Sequence, residues 1–322
     1  MRIIMMGTGP FAIPTFESLL DSQHDVAVLV TRPTPPVRSR VKAPRNPMRE
    51  VAEARGIEVL SPEDVNSEAA RKQLASLRPD LYVVCDYGQI LSPDTLSIPP
   101  LGGINLHGSL LPKYRGAAPV HWAIFNGDRE TGVTVIHMTP KLDAGPTLTL
   151  RTTPIGESET TAELEPRLAL LGVEPVHEAI AMLAAWDRSS PIGTPQDPAL
   201  ACRAPRLKKS DGEVDWSRSA TQIYNQFRAL KPWPGTFTQW HRPSGEPLRL
   251  LLDEIAIADG SAPEETTPGS VLVSDGTRLE VATGDGILLL GKVQPAGKRV
   301  MAIDEFLRGY PIPVGDRFGD LR

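Results

Sequence analysis

The sequence predicts an α/β fold, with a Rossmann-like, mostly parallel sheet in the N-terminal domain, then a linker, then a smaller C-terminal β-barrel (OB-like) domain. Three observations support this. Buried apolar runs alternate with helical patterns through the first half of the chain. A stretch rich in proline and polar residues begins after Trp186. Beyond it, short strand patterns follow one another without helices, as in a small barrel. We therefore expect a sheet domain over residues 1–188, a linker over 189–208 and the barrel domain over 209–322.

The predicted elements of the first domain follow in order. Apolar runs at residues 2–6, 26–31, 81–86, 103–107 and 131–138 predict strands, and helical patterns occur at 47–55, 67–77, 118–125 and 160–186. Pro166 and Pro175 predict a break or kink in the last of these helices. Strands and helices in alternation are typical of a doubly wound sheet.

The second domain is predicted to begin with a helix near residues 220–230. Strand patterns then follow at 236–241, 248–257, 270–273, 278–283 and 287–293. The last two runs flank Gly-Asp-Gly at 284–286, a hairpin turn.

Composition excludes several classes of protein. The chain has 322 residues, 40% of them hydrophobic, and only two cysteines, which excludes a disulfide scaffold and a cysteine-rich metal site. We therefore expect no metal. We also expect no membrane segment and a cytoplasmic location, because no leader pattern or apolar run of about 20 residues occurs. The formal charge of −5 means that a nucleic-acid partner would need local basic patches.

The glycine turn at residues 7–12, GTGPFA, fits the dinucleotide-binding pattern. A site for a nicotinamide dinucleotide needs an acidic residue about 20 positions later, which binds the ribose hydroxyl. The second predicted strand ends there in Thr31-Arg32, without an acid. Arg32 could contact the extra phosphate of an NADP, so that alternative stays open on this motif alone. The other interpretation is a tight strand-to-helix turn.

A second motif, Asn105-x-His107, contains side chains that can take part in catalysis. Asn105 and His107 lie two apart on a predicted strand, so their side chains share a face at its carboxyl end, where open α/β sheets bind ligands. Asp143 follows the next long strand, and we expect its loop to emerge at the same edge and to bring an acid to the pair. Asn and His can both donate to an oxygen that becomes negative when an amine attacks a formyl carbon. The amine proton could pass to Asp143, directly or through a water, or to a neutral His107 oriented by Asp143.

Long motifs in a fixed order resemble the 10-formyltetrahydrofolate-dependent formyltransferases. They are NLHGSLLPKYRGAAP at 105–119, ETGVTV at 130–135, LDAG at 142–145, RLKKSDGEVDW at 206–216, KPWPG at 231–235 and VATGDGILLLGKVQPAGK at 281–298. The resemblance runs from Arg2 to about Val300. It implies a formyltransferase catalytic domain over 1–188, and a tRNA-binding role for 209–322.

The resemblance also implies the site residues and the substrates. The family's catalytic residues fall on Asn105, His107 and Asp143. Its tetrahydrofolate-binding residues fall on Ser109, Leu110, Leu111 and Pro112, with the backbone of the 87–91 loop, including Gln89, Ile90 and Leu91, lining the pterin pocket. The expected co-substrate is 10-formyltetrahydrofolate, with no NAD(P), and the expected acceptor is methionyl initiator tRNA. We expect a monomer.

Two basic segments are candidates for tRNA contact. Residues 32–49 hold six basic side chains and no acid, and a second cluster lies at 203–209. We assign tRNA contact to Arg38, Arg40, Lys42, Lys208 and Lys209. The glycines that flank the family's loop arginine are absent here, and its position falls near Ser39, so the arginine that carries this role is not settled by the sequence.

Three alternative functions remain to be distinguished from this one. A formyltransferase for a nucleotide-sugar amine or for glycinamide ribonucleotide would share the same three catalytic residues. An NADP oxidoreductase would leave the Asn-x-His pair unused. A non-catalytic RNA-binding module would keep the basic segments without three convergent catalytic types.

Overall fold

The computed structural model describes residues 1–34, 45–242 and 245–319, and the chain divides into two compact units. The first comprises Met1–Val120, Arg129–Ile155 and Glu163–Arg206, and the second His121–Asp128, Gly156–Ala162 and Leu207–Arg322. The residues predicted as a linker are therefore grouped mostly with the first unit. The domain limits 1–188, 189–208 and 209–322 stay a prediction.

The first part of the chain contains nine strands and seven α-helices among its described residues. The strands are β1 (Arg2–Gly7), β2 (Asp25–Val30), β3 (Val59–Leu60), β4 (Leu81–Cys85), β5 (Gly103–His107), β6 (Arg115–Gly116), β7 (Glu130–His137), β8 (Thr147–Pro154) and β9 (Arg203–Ala204). The helices are α1 (Ile13–Leu20), α2 (Pro47–Ala54), α3 (Glu68–Ser76), α4 (Pro93–Leu96), α5 (Pro119–Phe125), α6 (Thr161–Leu171) and α7 (Val173–Ala184).

Seven of these strands form one sheet, in the order β3-β2-β1-β4-β5-β7-β8. The pairs from β3 to β5 are parallel, and β7 and β8 are antiparallel to their neighbours. Apolar runs form the central strands because both sheet faces are covered, and β1 and β4 are buried almost throughout. This order brings the carboxyl ends of β1, β4 and β5 to one edge, where the site lies.

The predicted helix over 160–186 is two helices, so the predicted interruption is present next to Pro175, whereas Pro166 does not interrupt its helix. The chain breaks at Gly172, where a Cβ would lie 2.6 Å from Cδ2 of Leu106 on β5. Pro166 lies inside α6. Pro175 lies in the first turn of α7, where a backbone N–H has no helical partner to lose.

The second unit is built on an antiparallel sheet. After helix α8 (Ala220–Leu230) come β10 (Thr236–Trp240), β11 (Leu248–Ala258), β12 (Val271–Ser274), β13 (Leu279–Ala282), β14 (Ile287–Pro295), β15 (Met301–Ala302) and helix α9 (Ile303–Gly309). The sheet order is β10-β11-β14-β13-β12, and β15 pairs with β14.

Residues 317–318 connect the two edges of this sheet. Phe318 bridges to Trp240 on β10, and Arg317 bridges to Ser270 beside β12. The sheet therefore closes on itself around a core that includes Trp216, Leu288 and Phe306. The predicted fold class, a Rossmann-like sheet followed by a smaller β domain, is confirmed. In the described part of the chain, no helix has the length and apolarity needed to cross a bilayer.

Candidate active site

A pocket of about 580 Å3 opens at the carboxyl edge of the first sheet. Its lining includes all three predicted catalytic residues, Asn105, His107 and Asp143. Asn105 and His107 share a face of β5, and β5 pairs with β7, whose following loop brings Asp143 to them. The structure thus brings Asp143 to Asn105, from which it is 38 residues distant in sequence, and to His107.

The Asp143 carboxylate stands between the other two side chains. The Asn105 amide Nδ2 lies 3.4 Å from Asp143 Oδ1, and His107 Nδ1 lies 3.8 Å from Asp143 Oδ2. The backbone N–H of Gly116 donates to the same Oδ2 at 2.9 Å. An amide nitrogen has two hydrogens, so Asn105 keeps one for a bound oxygen.

A backbone carbonyl sets the tautomer of His107. Its Nε2 lies 2.9 Å from the carbonyl oxygen of Tyr114, which can only accept, so Nε2 carries the hydrogen. In the neutral ring, Nδ1 is then the nitrogen with a free lone pair, and it faces Asp143. His107 is 6% exposed, so it meets solvent only through the pocket.

The loop that carries Asp143 is held by a residue that the sequence analysis missed. Gln196 donates from Nε2 to the carbonyl oxygens of Asp143 and Gly145, at 2.9 and 2.7 Å. Arg115 in turn donates to Gln196 Oε1 at 2.7 Å. Asp143 has φ +48°, and a Cβ at Gly145 would lie 1.8 Å from the His137 carbonyl oxygen. Gln196 lies in the predicted linker, where no periodic pattern marks it.

The predicted folate-binding residues fall into two groups. Gln89, Ile90 and Leu91 line the pocket. The Gln89 side chain is tied to the Val65 N–H and the Pro62 carbonyl, and Ile90 is 67% exposed. These residues form one wall.

The second group, Ser109, Leu110, Leu111 and Pro112, does not line the pocket. The buried Ser109 hydroxyl donates to the Lys113 carbonyl at 2.7 Å. Thr134 on β7 donates to the Ser109 carbonyl and accepts from the Leu111 N–H. This segment supports the wall behind β5, and its part in folate binding stays a prediction.

The predicted tRNA-binding residues lie on the surface or outside the described residues. Arg38, Arg40 and Lys42 fall outside them. Lys208 and Lys209 are exposed. Two other arginines of the basic segments, Arg32 and Arg206, line the pocket itself.

The glycine turn after β1 holds a carboxylate of this chain. A Cβ at Gly9 would lie 1.7 Å from Oδ2 of Asp86, so only glycine leaves room for that side chain. Asp86 follows β4 in a left-handed conformation, φ +47°, and its carbonyl accepts from the Thr8 N–H. A Rossmann dinucleotide places its pyrophosphate at this turn. Here the Asp86 carboxylate lies against the turn, and it would repel a phosphate.

Asp86 and Glu165 were both missed as site residues. Both line the pocket. The surrounding protein desolvates Asp86, although its side chain opens to the pocket, and this raises its pKa to about 6. Desolvation raises the pKa of Glu165 to about 7, and the Asp86 charge adds to the rise. The signal for Asp86 was present, an acid directly after a buried strand.

The chain matches family models over most of its length. Residues 1–180 match the formyl transferase model, and residues 206–311 match the model of the formyl transferase C-terminal domain. A methionyl-tRNA formyltransferase of Rhodopirellula baltica is 46% identical, over 98% of this chain and 96% of its own. One from Pelobacter propionicus is 44% identical, over 98% and 96%.

Solved structures share the fold at lower identity. HypX from Aquifex aeolicus in complex with tetrahydrofolic acid has a TM-score of 0.58 at 19% identity, covering 98% of this chain and 48% of its own. An N-formyltransferase from Helicobacter canadensis has a TM-score of 0.63 at 16% identity, covering 89% and 98%. The predicted family resemblance is confirmed. The chain belongs to the formyl transferase family, and the methionyl-tRNA formyltransferases in that family are its relatives over nearly the full length.

Proposed function

We propose that the protein transfers a formyl group from 10-formyltetrahydrofolate to the amino group of methionyl initiator tRNA, giving N-formylmethionyl-tRNA for translation initiation. The observation that carries this proposal is the convergence of Asn105, His107 and Asp143 in one pocket, in a chain related over 98% of its length to methionyl-tRNA formyltransferases. The proposed setting is the cytoplasm, and the proposed active species is a monomer.

The pocket has the chemistry that a reduced folate needs. One side is apolar, with Leu91, Leu106, Ile136, Met138 and Leu142 in its lining, and its volume lies in the range of small-molecule sites. This side suits the flat face of a pterin, and the 87–91 loop supplies backbone groups for the ring edge. When bound there, the co-substrate supplies the formyl group.

Asn105 is proposed to stabilise the developing charge. One of its amide hydrogens is directed to Asp143, and the other donates to the formyl oxygen as the amine adds to the carbon. A donor held in place by a carboxylate does not have to reorient during the reaction, which is why such groups lower barriers.

His107 is proposed to move the proton. Since Nε2–H is held by the Tyr114 carbonyl, Nδ1 takes the proton that the amine loses on attack. The ring then becomes a cation beside the Asp143 carboxylate, 3.8 Å away, which stabilises it. Nδ1–H returns the proton to the nitrogen that leaves.

The acceptor end of the tRNA is proposed to approach along basic side chains. Arg32 and Arg206 are at the pocket, and Lys208 and Lys209 are exposed two and three residues after Arg206. With Arg38, Arg40 and Lys42 of the basic loop, they would neutralise backbone phosphates.

The direct test is formyl transfer from 10-formyltetrahydrofolate to charged initiator tRNA. Free methionine, a nucleotide-sugar amine and glycinamide ribonucleotide are the competing acceptors. We expect transfer to the charged tRNA and little to the others. Equal or greater transfer to a sugar-nucleotide amine would assign the chain to that other acceptor class.

A further inference from the structure

The pocket has a charged side as well as an apolar one. Its charged and titratable side chains are Arg32 after β2, Asp86 and Tyr87 after β4, His107 on β5, Lys141 and Asp143 after β7, Glu165 on α6 and Arg206 after β9. Two of these carboxyl groups, Asp86 and Glu165, have no part in the chemistry described above. We call these two residues the acidic pair.

The strand order places one member of the acidic pair at the same pocket as the reacting groups. Val84 on β4 pairs with Asn105 on β5 in parallel, and Asp86 directly follows β4. Asp86 and Glu165 line the pocket together with Asn105 and His107. The acidic pair and the proposed reacting groups therefore border one cavity.

We propose that Asp86, with Glu165 beside it, binds the α-ammonium group of the aminoacyl ester and accepts one of its protons before the attack. This assignment rests on the proposed function. The N–H bond of the ammonium breaks and an O–H bond forms on the carboxyl group. The neutral amine then attacks the formyl carbon, and its next proton goes to His107 Nδ1. Asp86 later releases its proton to solvent.

The acid strengths fit this exchange. A free α-amino group has a pKa of about 7.7–8.0, so at neutral pH it arrives mostly as a cation, which cannot attack. With the Asp86 pKa at about 6 and the Glu165 pKa at about 7, the acidic pair still carries negative charge at pH 7 and can bind a cation. An ordinary exposed aspartate would be a much weaker base toward the ammonium.

The experiment compares two tRNA ligands that differ in one group. Methionyl-tRNA and its α-hydroxy analogue, in which a hydroxyl replaces the ammonium, are bound without folate so that no turnover occurs. The wild-type protein is expected to prefer the ammonium ligand by about tenfold, the value of one charge-assisted hydrogen bond. Asp86→Asn is expected to abolish the preference, and Glu165→Gln to reduce it. Glu68→Gln, which removes an exposed carboxylate of α3 that pairs with Lys72, is the matched control.

The outcomes of this experiment separate the inference from the proposed function. Equal binding of both ligands by the wild-type protein would overturn the inference while leaving the tRNA function intact. Failure of the wild-type protein to bind even uncharged initiator tRNA would contradict the proposed function itself. If Asp86→Asn does not fold, Glu165→Gln and the wild-type preference still decide. An Asp86→Asn protein that folds and retains the full preference would also overturn the inference.

Discussion

At the residue scale, hydrogen bonds from neighbouring groups fix the orientation of each side chain of the site. The Tyr114 carbonyl holds one nitrogen of His107, and the Gly116 N–H holds one oxygen of Asp143. Asn105 is aligned by the other oxygen. These contacts leave one donor on Asn105 and one nitrogen on His107 for chemistry.

Asn105→Ala should lower kcat by about 10²–10³, the usual effect of removing one oxyanion donor. Folate affinity should stay near the wild-type value, because the apolar side of the pocket is unchanged. Single-turnover formylation and equilibrium binding of a folate analogue measure the two quantities. A turnover number close to wild type would remove Asn105 from the proposed role.

Glu165→Gln should stabilise the protein at neutral and alkaline pH. The folded-state pKa, about 7, is above the ordinary value of 4.5, so the folded state binds the proton more tightly and its stability falls as the pH rises through that interval. The amide removes this penalty, a gain of about 1 kcal/mol after discounting for solvent in the pocket.

Thermal unfolding of both proteins between pH 4 and pH 8 tests this. The difference in Tm should be small at pH 4 and should grow up to about pH 7–8. A difference that does not vary with pH would show that the carboxyl does not titrate as proposed. Glu68→Gln, on an exposed helix face, should show no such trend.

At the element scale, the loop after β7 depends on a segment distant in sequence. Gln196 joins the Asp143 and Gly145 carbonyls to Arg115 of β6, and β6 itself pairs with β9. The 189–208 region therefore contributes a side chain that holds the loop of the site.

Gln196→Leu should lower kcat by about 10–100-fold, because the Asp143 carboxylate would no longer be held in a fixed position relative to His107. The KM for charged tRNA should change less, since the substituted side chain is not among those lining the pocket. Gln73→Leu, on an exposed position of α3, is the matched control. If kcat is unaffected, the Gln196 contacts do not position the carboxylate.

At the scale of the whole molecule, the proposed function requires a protein of negative net charge to bind a polyanion. The net charge is −5, so the basic segments have to act locally. Lys208 and Lys209 are exposed and close in sequence to Arg206 at the pocket. Arg38, Arg40 and Lys42 belong to the same prediction but lie outside the described residues.

Lys208→Ala with Lys209→Ala should flatten the dependence of log Kd for initiator tRNA on log salt by up to about two units, since each lost phosphate contact releases fewer counterions. Folate affinity should not change. Lys72→Ala with Arg308→Ala, two exposed cations in helical ion pairs, is the control. Equal slopes in all three proteins would exclude this cluster from the tRNA interface.

The sequence predicted the elements better than the contacts between them. The alternating apolar runs located β1, β2, β4, β5 and β7, because a sheet covered on both faces requires them. It missed β8, an edge strand whose residues are half-buried or exposed. The missing N–H of Pro175 is a local signal for the break between α6 and α7, whereas the close approach of Gly172 to β5 leaves no local pattern.

The same limit explains the site. The Asn105–His107 pair follows from strand periodicity alone. Gln196, Glu165 and the Asp86 contact with Gly9 depend on long-range packing that brings distant segments to one edge. Polar residues without a periodic pattern cannot be distinguished from ordinary surface residues until the fold is known.

The hydrogen bond from His107 to Tyr114 has a consequence for the kinetic cycle. With Nε2 engaged by the Tyr114 carbonyl, Nδ1 is the position that both accepts and returns a proton in the proposed transfer. The ring therefore ends each cycle in its starting state without help from buffer. The proposed role of Asp86 leaves proton exchange with bulk water to that residue, so external buffers should influence substrate capture and not the interior transfer.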